Sequence, residues 1–395
     1  MPLSARAALV VLAGYFLGSL SPAYLLDARA CGTGGRARGE RDAGALQIYR
    51  RVGFWPAALT ALVDLLKGIA AVLFARSAFA VPEPWIFLPG YAAVLGHLFP
   101  FYRRFRGGSG LLTAAGLFLF FCAEYLALGR LFYGGLLAAA ATAALVFAAS
   151  RNADLTGLVA FTFLGILTPL EAGLGTAGLA LSLLAWFLAG MSVWNCLRHG
   201  VFHFGAQKEM KWWRVIARPF ALLFIPIDLL FRRMPLLLLL GALALIFSGM
   251  DLFRMATRFK LTQLFKSSEV KRFSSMTSFL VAIFIIFLVF PDTIPYQGLA
   301  FITMGDLFSK VIGLRFGKVA LLRGRTLEGG LGFVAGSFMT GWILYSVQTI
   351  PLYAVLAGPI FAALAELFSG ALDDNFTVGV ISSGFLYALR YFLKA

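Results

Sequence analysis

The chain has 395 residues, of which 60% are hydrophobic and 13% charged, and its mean hydropathy is +0.86. A soluble protein of this size could not bury so much apolar surface, so the composition excludes a soluble globular class. The formal net charge of +16 comes from 34 Lys+Arg against 18 Asp+Glu. In a membrane protein such cations fix topology and face anionic lipid head groups, so we expect no nucleic-acid partner.

Apolar segments follow one another along the whole chain and predict an all-α, polytopic membrane protein in two helical bundles. A helix needs about 20 apolar residues to cross the hydrocarbon, and the apolar runs are continuous, whereas strands would alternate. Several segments are short enough to be re-entrant or interfacial. The candidates, roughly fourteen by this length criterion, lie at 7–26, 54–75, 85–102, 111–129, 131–149, 155–170, 173–190, 217–231, 235–250, 277–292, 296–312, 330–347, 351–367 and 376–393.

A polar, basic stretch at 205–214 divides the chain into predicted domains at 1–205 and 206–395. No internal repeat relates the two halves, so a transporter of inverted repeats is not supported. Counting spans from an outside N-terminus places nearly all basic clusters in the cytoplasm. We therefore predict a bacterial inner-membrane protein with sites facing the cytoplasm, and the sequence leaves its oligomeric state open.

Glycines and arginines cluster twice in the first half. Ser19 ends the first span before a Gly- and Arg-rich loop, and later Gly96-His97-Leu-Phe-Pro100 precedes the cationic segment 103–106 and then Gly107-Gly108-Ser109-Gly110. A Gly-rich loop that opens a helix beside arginines can wrap a phosphate with backbone N–H groups. Glycines in membrane helices also serve close packing, and both interpretations stay open.

This combination resembles the acyl-phosphate:glycerol-3-phosphate acyltransferase family over about residues 5–205. The resemblance implies acyl transfer from acyl phosphate to glycerol-3-phosphate, by a half that is either active or a degenerate lipid-binding unit. The chain departs from the family at Ser109, where the family has lysine, and at Ser192, where it has histidine. The matching site residues are Ser19, Arg36, His97, Arg106, Gly107, Gly108, Gly110, Asn195 and Arg198.

Carboxylates and cations form an ordered series in the second half. Asp306, Asp373 and Asp374 offer the hard oxygen ligands that Mg²⁺ prefers. Asn375 follows them, and Glu328 can coordinate the metal or orient a cation. Phosphoryl transfer requires mainly positioning and charge neutralisation. The predicted phosphate-binding residues are Lys310, Arg315, Lys318, Arg325, Gly313, Gly317 and Gly329.

The series resembles the CTP-dependent lipid kinases, which include dolichol, phytol and diacylglycerol kinases, over about 265–395. The resemblance implies transfer of a phosphoryl group from CTP to a lipid alcohol with Mg²⁺. Three alternatives stay open: cytidylyl transfer to phosphatidate, acyl transfer as the main activity, and a membrane scaffold without catalysis. The first alternative would release pyrophosphate from CTP, whereas a kinase would release CDP.

Overall fold

The computed structural model describes residues 3–24, 26, 45–83, 85–105, 107–131, 133–173, 175–198, 218–257, 272–346, 350–369 and 373–394. Over these ranges the chain is helical and forms no strand beyond an isolated bridge between Ala320 and Thr326. Among the described residues, six helices are long and apolar enough to cross a membrane, and further apolar helices are shorter. The prediction of an all-α polytopic membrane protein is confirmed.

The helices follow the predicted apolar segments closely. They are α1 (Leu3–Ser19), α2 (Ala45–Arg51), α3 (Phe54–Phe79), α4 (Phe87–Leu98), α5 (Leu111–Ala127), α6 (Tyr133–Ser150), α7 (Ala153–Glu171), α8 (Thr176–Arg198), α9 (Phe224–Phe231), α10 (Arg233–Thr257), α11 (Ser275–Val289), α12 (Ile294–Ala300), α13 (Asp306–Phe316), α14 (Leu327–Ser346), α15 (Leu352–Phe368), α16 (Asp374–Phe376) and α17 (Ser382–Lys394).

Two compact units divide the chain. The first comprises residues 1–132 and 171–191, and the second comprises 133–170 and 192–395. Helices α6 and α7 therefore belong to the same unit as the whole C-terminal half, and α6 packs against α13 and α14. The domain boundary predicted at 205/206 falls inside the second unit and stays a prediction.

In the first unit, α1 packs against α4 at backbone contact distance. A Cβ on Gly14 would lie 2.3 Å from the carbonyl oxygen of Pro89, and one on Gly18 would lie 2.0 Å from that of Ala93. Small residues spaced by four are the usual device for close helix contact in membranes. The contact fixes where α1 ends relative to the end of α4, which is where the predicted site residues lie.

In the second unit, α14 packs closely on α13, and two π-helical turns flank the predicted acids. The turn Phe301–Gly305 directly precedes α13, and the turn Thr377–Ile381 directly follows α16. The two π turns contact each other. This contact brings the two ends of the acidic series into one region. Turns of this kind often occur at functional sites.

A buried acid fixes the start of α11. Asp251 accepts hydrogen bonds from the Ser274 N–H (2.7 Å) and the Thr277 hydroxyl (2.6 Å), and its other oxygen lies 2.9 Å from Arg254. The Ser274 hydroxyl in turn caps α11 by accepting from the Thr277 N–H. Since an N-cap satisfies an otherwise orphaned donor, this network holds the first turn of α11 beside the acidic series.

Candidate functional site

The first unit encloses four polar side chains where α3, α4 and α5 meet. Asp64, Lys67, His97 and Thr113 are each less than 8% exposed. The Lys67 ammonium lies 2.9 Å from the Asp64 carboxylate, and His97 Nδ1 lies 3.2 Å from Thr113 Oγ1 and 3.6 Å from Asp64 Oδ1. Buried charges are retained in proteins when they are paired, so the four groups depend on one another.

The Gly-rich segment after α4 folds back over this cluster. The Gly107 N–H donates to the Leu98 carbonyl (2.9 Å), and the Gly108 N–H donates to the His97 carbonyl (3.2 Å). A Cβ on Gly108 would lie 2.3 Å from His97 Nε2, so a larger residue would displace the imidazole. Gly110 has φ +70°, a left-handed conformation that favours glycine, directly before α5.

These hydrogen bonds bear on an alternative that the sequence left open. The N–H groups of Gly107 and Gly108 could wrap a phosphate or the glycines could allow close packing, and the N–H groups are engaged by carbonyls at the end of α4. The element that attracts anions here is the first turn of α5, which begins at Leu111. Arg103 lies in the same connection, with its guanidinium 3.8 Å from the centre of the Tyr24 ring.

The end of α1 is tied to the same cluster. The Ser19 hydroxyl donates to the Tyr15 carbonyl one turn back (2.9 Å), while the Ser19 carbonyl accepts from the Tyr102 hydroxyl (2.7 Å). The Lys67 ammonium also donates to the Leu20 carbonyl (3.3 Å). Ser19 thus lies beside the last turn of α4, where its backbone nitrogen would be 2.9 Å from a Cβ on Gly96, and its hydroxyl serves its own helix. A role for Ser19 in the site stays a prediction.

Other predicted residues of the first half are placed differently. Arg36 and Arg106 lie outside the described residues. Asn195 and Arg198 lie at the end of α8, in the second unit, whereas His97 belongs to the first. A joint role for these groups stays a prediction.

The sequence interpretation missed Asp64, Lys67 and Thr113. A signal existed for the first two, because a carboxylate and an ammonium three residues apart interrupt the candidate span Phe54–Phe79. Ionisable residues inside a membrane helix are costly and usually functional. Thr113 carries no such signal, since threonine commonly bonds to its own helix.

In the second unit, Asp306 opens α13 between two cations. Its carboxylate is 2.7 Å from the Lys310 ammonium one turn later and forms an ion pair with Arg218, which is 6% exposed. The guanidinium of Arg218 also faces the ring of Phe279, 5.6 Å from its centre. The Asp306 carboxylate is therefore paired with two cations, Arg218 and Lys310.

Arg325 joins two further acids. It pairs with Glu366 and lies 2.7 Å from Asp374. The Ser369 hydroxyl is within hydrogen-bond distance of the Asp374 carboxylate and of the Glu366 carbonyl and can donate its one proton to either, so the start of α16 lies against the end of α15. This places Arg325 and Asp374 together, as the ordered series predicted.

Asp373 and Asn375 form the third part of this region. The Asn375 side-chain amide donates to Asp373 (2.7 Å) and to the Ser275 carbonyl at the start of α11 (3.3 Å). Burial raises the pKa of the Asp373 carboxyl above its usual value, and the hydrogen bonds from Asn375 act in the opposite direction. Arg218 also lowers this pKa, so the cation paired with Asp306 is close enough to influence Asp373.

The remaining predicted residues shape the connection after α13. Both oxygens of Glu328 accept from the Val319 N–H (3.3 Å each), so Glu328 closes a loop and does not pair with Arg325. Gly313 and Gly329 sit at the contact of α13 with α14, where a Cβ on Gly313 would be 3.3 Å from the Gly329 Cα. These two glycines pack helices, whereas Gly317 follows the last residue of α13, where a Cβ would be 2.3 Å from the Gly313 carbonyl oxygen of the same helix.

Lys318 and Arg315 are exposed at the end of α13. Arg315 lies nine residues after Asp306 and therefore on the opposite helical face. It donates to the Ser150 carbonyl at the end of α6. Arg315 consequently does not join the group formed by Asp306, Lys310 and Arg325.

The described ranges contain no group of three His, Cys, Asp or Glu side chains arranged to hold a metal ion. Asp306 and Asp374, predicted as Mg²⁺ ligands, are instead paired with lysine and arginine. Mg²⁺ is usually bound by one or two carboxylates together with phosphate oxygens and water. The oxygen donors fit that chemistry, and Mg²⁺ stays a prediction that depends on a bound nucleotide.

Comparison with known proteins gives matches in the first 200 residues. A family model described as glycerol-3-phosphate acyltransferase matches residues 8–200. The glycerol-3-phosphate acyltransferase of Azotobacter vinelandii is 38% identical over 199 residues, covering 47% of this chain and 90% of that protein. The family model ends well before Asp306, so the resemblance to CTP-dependent lipid kinases stays a prediction.

Two other relatives are covered less fully. The Pseudomonas putida (KT2440) glycerol-3-phosphate acyltransferase is 45% identical over 125 residues, 31% of this chain and 65% of that protein. Glycerol-3-phosphate acyltransferase 1 of Dehalococcoides mccartyi is 41% identical over 115 residues, 29% of this chain and 55% of that protein. The chain thus spans less than two thirds of either relative. A crystal structure of PlsY, an integral membrane glycerol 3-phosphate acyltransferase, aligns at 23% identity with a TM-score of 0.36, covering 49% of this chain and 93% of that one.

Proposed function

The chain belongs to the glycerol-3-phosphate acyltransferase family, and from this premise we propose that residues 8–200 transfer an acyl group to glycerol-3-phosphate. The acyl donor is an acyl phosphate. A glycerol hydroxyl attacks the acyl carbonyl, the ester bond forms, and the bond to the phosphate oxygen breaks. Inorganic phosphate leaves and the hydroxyl proton is released with it, so the product is lysophosphatidate.

One observation supports this proposal most directly: the buried cluster of Asp64, Lys67, His97 and Thr113 contacts the loop 107–110 through His97. His97 contacts Gly108 from below, and Thr113 and Asp64 hold the imidazole. The loop ends where α5 begins, so the positive end of a helix of 17 residues is fixed at one place. A preorganised anion site of this kind stabilises developing charge without reorganisation.

Positive charge in this region comes from elements other than the lysine that Ser109 replaces. Arg103 and the first turn of α5 flank the loop, and both attract phosphate. Lys67 is sealed beneath the loop and paired with Asp64, so we assign it a positioning role. The Ser19 carbonyl accepts a hydrogen bond from the Tyr102 hydroxyl, and this bond holds the connection after α4 in place.

The test is acyl transfer by the purified full chain with palmitoyl phosphate and glycerol-3-phosphate, with lysophosphatidate measured by mass spectrometry. Thr113→Val keeps the shape but removes the hydroxyl next to His97, and we expect it to lower the rate. Thr142→Val is the matched control, because Thr142 is buried on α6 and bonds only one turn back on its own helix. Absence of product from the unmodified chain would support the degenerate lipid-binding alternative.

A second activity is proposed for the C-terminal half, namely transfer of a phosphoryl group from CTP to a lipid alcohol. The observation that favours it is the concentration of Arg218, Lys310 and Arg325 around Asp306, Asp374 and Glu366. Mg²⁺ bound with the nucleotide would neutralise phosphate charge, held by Asp306 and Asp374. The cations now paired with these acids would then be released toward the triphosphate.

Product analysis distinguishes the remaining alternatives for this half. The full chain is incubated with CTP, Mg²⁺ and a panel of diacylglycerol, polyprenol and phosphatidate. CDP with a phosphorylated alcohol supports the kinase, whereas pyrophosphate with CDP-diacylglycerol supports cytidylyl transfer. No turnover of CTP with any lipid would favour a scaffold role for this half and would contradict the proposal. Both activities are proposed for the cytoplasmic face of a bacterial inner membrane.

A further inference from the structure

The second unit contains an apolar cavity of about 200 Å³ between α6, α7, α13 and α14. Its lining combines helices matched by the family model with helices of the C-terminal half. For scale, an engineered apolar cavity of about 150 Å³ stays dry and binds benzene. The cavity therefore has room for a stretch of hydrocarbon, and its principal lining residues are Leu145, Val146, Leu155, Val159, Val311 and Ile312.

Four helix ends lie at one end of the cavity. Helix α6 ends at Ser150 and α7 begins at Ala153, while α13 ends at Phe316 and α14 begins at Leu327. At about 1.5 Å per residue, the lining positions on α6, α7 and α13 lie within roughly 15 Å of those ends. A chain entering at that level would run along the helices into the apolar interior.

A cation caps the same end of the cavity. Phe308, Val311 and Ile312 line the cavity, and Arg315 follows at i+7, i+4 and i+3 from them. Residues at this spacing form one stripe along a helix. The Arg315 guanidinium reaches the Ser150 carbonyl at the end of α6, and it therefore lies across the gap between α6 and α13. Arg151, also exposed, follows directly in the chain.

The acidic group is not part of this arrangement. Asp306 and Lys310 lie roughly 100° or more around α13 from Phe308, Val311, Ile312 and Arg315, on a helix with 3.6 residues per turn. Leu307, which also lines the cavity, is about 60° from Lys310. The cavity thus combines hydrocarbon walls with two arginines, Arg315 and Arg151, at the end where one acid, Asp154, lies in the first turn of α7. Basic sites between membrane helices are suited to anionic lipid head groups.

We propose that this cavity binds one acyl chain of a phosphate-bearing lipid, with the phosphate on Arg315. The site differs from both proposed active sites and requires neither activity. The shared chemistry is a phosphate head on a hydrocarbon chain. Two sources supply it, lysophosphatidate with a single chain and diacyl anionic phospholipid of the bulk membrane, and separate arms of the experiment distinguish them.

The test is native mass spectrometry of the full chain in detergent with added lipid. The probes are oleoyl lysophosphatidate, oleoyl lysophosphatidylcholine and dioleoyl phosphatidate. Ile312→Trp fills the cavity from α13, and Ala335→Leu fills it from α14. Leu314→Trp is the matched control, because Leu314 lies on α13 but outside the lining and is 38% exposed.

We expect both filling variants to lose one bound oleoyl lysophosphatidate, while Leu314→Trp retains it. Arg315→Gln should weaken binding of lysophosphatidate by about tenfold. It should weaken binding of lysophosphatidylcholine less, because the phosphate of that lipid carries a single charge beside its own choline cation. Arg232→Gln, at an exposed arginine outside the cavity, should change neither. If dioleoyl phosphatidate bound tightly and oleoyl lysophosphatidate did not, the occupant would be a diacyl phospholipid of the bulk membrane. Unchanged binding in both filling variants, or equal loss in Leu314→Trp, would overturn the proposal.

Discussion

The two polar groups of this protein are built from similar residues but differ in accessibility. The Asp64 and Lys67 side chains of the first unit are 2% and 5% exposed, and each depends on the other. In the second unit, the side chains of Lys310, Arg325 and Asp374 are 32%, 23% and 56% exposed. A sealed pair serves to position its surroundings, whereas an accessible group can exchange its partner for a ligand.

Ionisable residues in one membrane protein therefore need not share one role. The sealed pair lies in the middle of the candidate span Phe54–Phe79 and supports a loop through His97. The accessible acids lie at helix ends, where Asp306 opens α13 and Asp374 opens α16. Charge within a span and charge at a helix end therefore imply different consequences of mutation.

The largest effect is expected when the sealed pair is broken. Lys67→Met leaves the Asp64 carboxylate buried without its ammonium, and should lower the free energy of unfolding by about 3–5 kcal/mol. Lys310→Met in the second unit should cost about 1 kcal/mol or less, because that pair is partly exposed. Thermal unfolding of the purified chains in detergent measures both.

A double variant sharpens this result. Lys67→Met with Asp64→Asn removes both charges and should recover a large part of the stability that Lys67→Met loses. If Lys67→Met and Lys310→Met lowered stability equally, the distinction between a sealed and an accessible group would be wrong.

The next effect concerns the contact between the loop and the cluster. Gly108→Ala places a Cβ about 2.3 Å from His97 Nε2, and such overpacking costs about 1–3 kcal/mol. We expect acyl transfer to fall further than stability, because the loop that positions α5 is displaced. Rates and unfolding temperatures are measured on the same preparations.

Gly190→Ala provides the control for this variant, because a Cβ there meets no atom within 4 Å. It should leave stability unchanged or raise it slightly. Combining Gly108→Ala with His97→Ala removes the clash, so the two changes should be non-additive. Strict additivity would show that His97 does not support the loop.

The helices themselves follow from the sequence, whereas their local distortions do not. The predicted span at 296–312 corresponds to α12, a π turn and α13 in succession, from Ile294 to Phe316. Hydropathy detects an apolar run of this length. It does not detect the π turn Phe301–Gly305, which lies inside this run and contacts the second π turn at Thr377–Ile381.

The candidate sites were predictable to different degrees. Arg325 and Asp374 were both assigned to one predicted nucleotide site from their order in the chain, and they lie 2.7 Å apart. That this site binds a nucleotide stays a prediction. The hydrogen bonds of Gly107 and Gly108 were not predictable, since glycine suits both phosphate wrapping and tight packing. Only the three-dimensional path of the loop shows that their N–H groups donate to α4.

A smaller loss of stability is expected when the accessible group is altered at its centre. Arg325→Gln removes the guanidinium between Glu366 and Asp374, and should cost about 2 kcal/mol, because solvent compensates the exposed Asp374 but the buried Glu366 loses its partner. Turnover of CTP should nevertheless disappear if the second proposed activity is correct. Arg325→Lys retains the charge but not the two-sided contact, and should restore turnover only in part.

If Arg325→Gln kept full CTP turnover, the ion pairs of Arg325 with Glu366 and Asp374 would serve only to stabilise the fold. That result would also remove the contrast with the first unit, because both groups would then only position their surroundings. The same preparations should keep their acyl transfer rate, which serves as the internal control.

The smallest effect concerns the protonation of Asp373. Burial raises the pKa of this carboxyl above its ordinary value of 3.8, so the folded chain holds the proton over a pH window in which the unfolded chain has released it. Stability is therefore greatest toward the acidic end of that window and declines as pH rises through the folded pKa. Asp373→Asn cannot ionise, and its amide oxygen can still accept from Asn375. The unfolding temperature of Asp373→Asn should exceed that of the unmodified chain by a margin that grows across the window and then levels off. A margin independent of pH would mean that Asp373 is already as well solvated as the accessible acids around it.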